Sequence, residues 1–91
     1  MADFMMVMMG EASRGVWDSY IKKLIDTGKF RGGSALGRGT SVSKNTADGE
    51  STVTGFIRLV AADLDEARTL LEGNPLYEAG GTIELLEEVQ E

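Results

Sequence analysis

Cysteine and histidine are both missing from this sequence, and proline occurs once. Without cysteine the chain can form no disulfide, no thiolate metal site and no cysteine nucleophile. Without histidine it lacks the usual general base near neutral pH and the commonest metal ligand. It also lacks apolar runs approaching the roughly 20 residues that cross a bilayer. We therefore expect no metal, no cofactor and no membrane span.

The charge balance is acidic. The chain carries a formal net charge of −6, and acidic residues crowd its carboxyl end at Glu84, Glu87, Glu88 and Glu91. Such a surface repels DNA and RNA, so nucleic-acid binding is not expected. Met1 to Gly10 is too short for a signal peptide and carries Asp3 where positive charge belongs. The cytoplasm is therefore the expected compartment.

Residues 1–91 are enough for one domain with one core. A hydrophobic share of 42% and a charged share of 26% are typical of a globular protein rather than a disordered one. A domain this small buries only about 60–65% of its unfolded surface. Oligomerisation would therefore stabilise the domain by burying additional apolar surface.

Two segments have helical periodicity. The first begins at a candidate cap, Ser13, ends at Gly28, and carries a stripe of Val16, Trp17, Tyr20, Ile21, Leu24 and Ile25. The second begins with a capping box of Asp63 and Glu66 and is expected to end at Gly73 and Pro75. Its buried stripe is Leu64, Ala67, Leu70 and Leu71.

Four segments are predicted strands: Phe4 to Met9, Phe30 to Leu36, Val53 to Val60 and Thr82 to Val89. Thr40 to Thr46 could add another strand before a hairpin turn at Asp48-Gly49. In the first strand Phe4, Met6 and Met8 alternate with Met5, Val7 and Met9, so both of its faces are apolar. Such a strand is expected to be covered on both sides.

The element order predicts an α+β protein with a ferredoxin-like antiparallel sheet and two helices on one face. Two helices cover only one face of such a sheet. The other face would expose an apolar patch larger than monomers usually tolerate. Each large apolar side chain buried there would contribute about 1.5–3 kcal/mol to pairing of two copies. A homodimer is therefore expected.

The sequence resembles the YCII-related proteins. The resemblance is carried by Gly55 to Leu59, Asp63 to Ala67, Asn74-Pro75, Gly80 to Glu84, and, in the first half, Gly10-Glu11 and Gly32 to Leu36. It implies a dimeric α/β barrel, in which two ferredoxin-like subunits place their sheets face to face, with a cleft in each subunit. The biochemical role of that family is largely unknown. Its proposed histidine–aspartate pair has no counterpart here, and its Asp-Gly-Pro-Phe motif is echoed only by Asp48-Gly49.

Candidate ligand-binding residues are Tyr20, Arg31, Gly33, Ser34, Arg58, Asn74 and Tyr77. Arg58 could anchor an anion in the cleft or form an ion pair across the dimer interface. Gly32 and Gly33 could admit a ligand or another backbone, or simply distort the strand. Trp17 and Tyr20 share a helix face, which usually means core packing, but their polar tips could also line a pocket between helix and sheet.

Three carboxylates, Asp48, Glu11 and Glu78, are weak candidates for proton transfer, since most carboxylates of an acidic protein are surface charges. The methionines near the amino end (Met1, Met5, Met6, Met8 and Met9) are expected to pack in the core rather than bind a soft metal.

Two functions fit these observations. The first is a dimeric protein that binds a small anionic or aromatic metabolite in a cleft of each subunit, with a cofactor-free reaction as an option that the sequence leaves open. The alternative is a non-catalytic dimeric scaffold or protein-interaction module. The sequence does not identify a ligand.

Overall fold

The computed structural model describes residues 1–11 and 17–89. The predictions for Ser13, Val16 and Glu91 lie outside the described residues. The elements, in chain order, are β1 (Ala2–Met9), α1 (Trp17–Asp26), β2 (Phe30–Ala35), β3 (Thr40–Ser43), β4 (Thr46–Glu50), β5 (Val53–Ala61), α2 (Leu64–Thr69), α3 (Pro75–Glu78) and β6 (Thr82–Glu87). In the described part of the chain, no helix combines the length and apolarity needed to cross a membrane.

The main sheet has four antiparallel strands in the order β2-β5-β1-β6. At its centre Met6 of β1 lies opposite Ile57 of β5 and Leu85 of β6. Strands β3 and β4 pair only with each other, as a separate hairpin. The predicted α+β class and antiparallel sheet are confirmed.

The core lies between one face of this sheet and the helices. Phe4, Met6 and Met8 are buried, whereas the alternate residues Met5 and Val7 are only half-buried. The buried cluster joins Phe4, Met6, Met8, Ile57, Leu59 and Ala61 of the strands to Tyr20, Leu24, Ala67, Leu71 and Leu76 of the helical segments. Met6 and Met8 therefore pack in the core as predicted, whereas Met5 and Met9 are only half-buried and Met1 is exposed.

The opposite surface of the sheet, here called the outer face, has no helix against it among the described residues. Strand register places Met5 beside Leu86, and Val7 beside Phe56, on this surface. Leu86 is 50% exposed. The apolar residues expected on a second sheet face are thus present there.

The helix ends follow the predicted chemistry in part. Asp63 caps α2, and its carboxylate accepts a hydrogen bond from Glu66 N. The Glu66 carboxylate accepts from Ala62 N and pairs with Lys29 at 2.5 Å, so the reciprocal half of the capping box is shifted by one residue. Ile25 and Leu64, placed in buried stripes by the sequence, are exposed.

Pro75 begins a helix instead of ending one. Asn74 is the N-cap of α3, with Oδ1 accepting from Leu76 N at 3.0 Å and from Tyr77 N at 3.1 Å. Pro75 fits the first position of α3 because that position needs no amide donor. The sequence predicted two helices, so the short helix α3 was missed.

The predicted hairpin turn at Asp48-Gly49 was also wrong. Both residues lie within β4, and the turn is formed by Lys44 and Asn45. Thr40 pairs with Glu50, and Ser43 pairs with Thr46.

Candidate functional site

An open groove of about 970 Å³ lies between α1 and neighbouring parts of β1, β2 and β5. Its apolar lining includes Met8, Trp17, Ile21, Phe30 and Ile57. The polar lining side chains are those of Glu11, Ser34 and Thr54. The volume lies within the range of sites for small organic ligands, but the groove is more open than most such sites.

Small residues on β2 and β5 make room for this groove. Gly33, Ala35 and Gly55 all line it, and Ala35 lies opposite Gly55 in the ladder. A Cβ atom on Gly33 would lie 2.4 Å from the Phe56 carbonyl oxygen, so only glycine permits this approach of the two strands. Of the alternatives left open for Gly32 and Gly33, close approach of another backbone is therefore the one observed at Gly33.

Gly32 forms a bulge next to the position where Gly33 of β2 comes close to the backbone of β5. Its φ is 104°, in the left-handed region that favours glycine. The ladder between β2 and β5 shifts register between Phe30 and Gly33. The strand distortion that the sequence left open as an alternative is thus observed at Gly32, and it separates Phe30 from the smaller groove residues of β2.

Trp17 is half-buried and lines the groove, although the sequence favoured it as a core residue. Its ring contacts that of Tyr20 edge to face, with centroids 6.1 Å apart and planes at 71°. This contact attaches the Trp17 indole to the core while part of it faces the groove. Helical spacing alone does not show that Trp17 faces the groove, because the positions of the neighbouring strands determine where the groove lies.

The polar groups of the groove differ in availability. The Thr54 hydroxyl donates to the Gly10 carbonyl, and the Ser34 hydroxyl donates to the Ala35 carbonyl at 2.9 Å. Glu11 is exposed and makes no hydrogen bond or ion pair with the residues that the structure describes. Its carboxylate is therefore the lining group most open to a ligand.

Tyr20 is buried in the core and does not line the groove. Its hydroxyl donates to the Leu70 carbonyl at 2.7 Å and lies 3.4 Å from Met6 Sδ. Burial raises the pKa of Tyr20 to about 12, and the nearby Asn74 side chain opposes this rise. Asn74 is itself fully buried, and its Nδ2 makes no hydrogen bond of normal geometry within the described chain. Both residues hold α1 and the α2–α3 segment together.

The raised pKa predicts a loss of stability at high pH. Because the Tyr20 pKa rises from 10.0 to about 12 on folding, its contribution is fully present below pH 10 and is lost as the pH rises toward 12. The full loss is about 2–3 kcal/mol. Melting temperatures measured from pH 8 to pH 11.5 should fall more steeply for the wild type than for Tyr20→Phe. Parallel curves for the two proteins would contradict the prediction.

The two candidate arginines do not line the groove. Arg31 donates from Nη1 to the carbonyls of Gly28 and Phe30. Arg58 forms a bidentate ion pair with Glu88, in which Nε donates to Oε1 and Nη2 donates to Oε2, each at 2.8 Å. This pair raises the pKa of Arg58 and lowers the pKa of Glu88. The pair lies within the chain, whereas the sequence favoured a pair between subunits.

The other candidates are dispersed. Tyr77 is 47% exposed on α3, and Asp48 lies on the exposed β4. The Glu78 carboxylate accepts from Gly73 N at 3.0 Å and so closes the α2–α3 loop. Of the predicted site residues, the structure brings together Gly33, Ser34 and Glu11. Within residues 1–11 and 17–89, acidic side chains form no group of three that could hold a metal ion.

No protein-family model and no curated protein sequence matches this chain. Among solved structures, the chain is similar to the 5-chloro-2-hydroxyhydroquinone dehydrochlorinase TftG from Burkholderia phenoliruptrix AC1100, in complex with 2,5-dihydroxybenzoquinone. The TM-score is 0.55 and the identity 19%, over 98% of this chain and 93% of that chain. At this identity the likeness shows a shared fold.

Proposed function

We propose that this protein is a YCII-like homodimer that binds a small aromatic molecule in the groove of each subunit. The observation that carries the proposal is the lining of that groove by the aromatic residues Trp17 and Phe30, together with Ile21. The structure of the dehydrochlorinase with the same fold contains a cyclic quinone ligand, which supports an aromatic-sized ligand here. The YCII resemblance of the sequence agrees with the shared fold.

The physical basis of binding is apolar contact. Burying apolar surface contributes about 25 cal/mol per Å², and aromatic rings gain a further ~0.5–1.5 kcal/mol from favourable ring pairing. An exposed groove of about 970 Å³ leaves one-ring and two-ring compounds enough room. We therefore expect weak to moderate affinity, because the groove is open on one side.

The dimer proposal rests on the outer face. Met5, Val7 and Phe56 remain half-buried in the single chain, and Leu86 is half exposed. Two copies that pair these surfaces would remove them from water and complete the barrel that the family resemblance implies. The cytoplasmic location expected from the sequence stays a prediction.

The ligand proposal is tested through Trp17. Because the chain has one tryptophan, and that residue lines the groove, its fluorescence reports ligand entry directly. Phenol and hydroquinone, titrated to millimolar concentration, are expected to change the Trp17 emission saturably. Amide chemical shifts in β2 and β5 should change over the same concentration range.

A groove-filling variant sharpens this test. Ala35→Leu places a larger side chain on the groove-lining face and is expected to weaken phenol binding at least about tenfold. Ala47→Leu, on the exposed β4, is the matched control and should bind as the wild type does. If neither phenol nor hydroquinone perturbs Trp17 or the amide shifts, the scaffold alternative is favoured instead.

A further inference from the structure

The groove has an unbalanced charge. Among its described lining residues, Glu11 carries the sole ionisable side chain. That carboxylate is exposed and has no hydrogen bond or ion pair within residues 1–11 and 17–89. A negative charge beside an apolar lining attracts cations and repels anions.

Nearby basic side chains are held elsewhere. Arg31 is bound to the carbonyls of Gly28 and Phe30, and Lys29 pairs with Glu66. Arg58 is engaged by Glu88, in a pair that does not line the groove. None of these three cations is placed to neutralise Glu11, and the net charge of −6 adds to the negative potential.

The aromatic lining favours the same kind of ligand. The faces of tryptophan and phenylalanine rings carry negative partial charge and attract cations, most strongly for tryptophan. Trp17 and Phe30 line the groove together with Glu11. An aromatic cation would gain apolar contact, cation–π attraction and the Glu11 charge at once.

We propose that the groove selects aromatic ligands that carry a positive charge, such as aromatic amidines and protonated benzylic amines, and that Glu11 is the residue that determines this preference. The inference rests on the proposed function and adds the charge of the ligand to it. It replaces the anionic metabolite expected from the sequence, since that expectation relied on arginines that lie outside the groove.

Three probes of nearly the same size test the proposal: benzamidine, benzamide and benzoate, with charges of +1, 0 and −1. Each is titrated against the full chain, with Trp17 fluorescence and amide chemical shifts as readouts. Benzamidine is expected to bind about fivefold more tightly than benzamide, and benzoate about fivefold more weakly, as for partly exposed charge pairs. Raising the salt concentration should reduce both differences.

Glu11→Gln is expected to bring all three dissociation constants within about twofold of one another. Glu50→Gln makes the same change in net charge on the exposed hairpin and should preserve the wild-type order. Equal binding of the three probes to the wild type, or an order unchanged by Glu11→Gln, would overturn the proposal. A preference for benzoate would also overturn it and would direct attention to Arg14, outside the described residues. If none of the probes binds, the proposed function fails together with this inference.

Discussion

Replacing Gly33 with alanine is expected to lower the free energy of unfolding by about 3 kcal/mol. The added Cβ would lie 2.4 Å from the Phe56 carbonyl oxygen and 3.0 Å from the Ile57 Cα. Both obstacles are backbone atoms of β5, so relief requires β2 to move away from the sheet rather than a side chain to rotate. The measurement is thermal unfolding followed by circular dichroism, with a melting temperature lower by about 10–20 °C.

Gly37→Ala is the matched control for this substitution. Gly37 lies just beyond β2 and has no left-handed φ, and a Cβ atom added to it would meet nothing within 4 Å. Alanine there should change stability by less than about 1 kcal/mol, in the stabilising direction if the unfolded chain loses entropy. A Gly33→Ala protein as stable as Gly37→Ala would contradict the observed closeness of β2 and β5.

Replacing Leu86 with glutamate is expected to dissociate the proposed homodimer. Leu86 is 50% exposed on the outer face, next to Met5. Because a symmetric interface uses each residue twice, losing the burial of both leucines costs about 3 kcal/mol or more. The dissociation constant should rise at least about hundredfold. Sedimentation at micromolar concentration should show a dimer for the wild type and a single-chain mass for the variant.

Leu64→Glu is the control for the general effect on dimerisation of replacing an exposed leucine with glutamate. Leu64 is also 50% exposed, but it lies at the first turn of α2, where a carboxylate is tolerated. This variant should remain dimeric and folded. Dissociation by both variants, or by neither, would count against an interface on the outer face, and circular dichroism would establish that each variant is folded.

The central strand shows why much of the fold could be predicted. Alternation in β1 identified Phe4, Met6 and Met8 as one apolar face and Met5 and Val7 as the other, and the structure buries the first set. The capping role of Asp63 was likewise predicted from sequence. Both features depend on interactions between residues that are close in the chain, so sequence periodicity and spacing report them.

The candidate site was harder to predict because its members come from separate elements. Trp17 and Ile57 lie far apart in sequence and line one groove, whereas Arg58, the residue after Ile57, lies elsewhere with Glu88. Residue chemistry suggested the arginines as ligand groups. Their actual partners depend on the strand order, which places β1 between β5 and β6.

Composition and periodicity were sufficient to establish the α+β class, the apolar β1, and the exclusion of cysteine-based and histidine-based chemistry. Local patterns specify these features, since they follow from which side chains alternate and which residue types exist. Strand pairing determined the features that are formed by residues distant in sequence. These are the groove, the close approach of Gly33 to the Phe56 backbone and the separate β3–β4 hairpin. A contact between two segments is a property of both surfaces together, and neither segment encodes it alone.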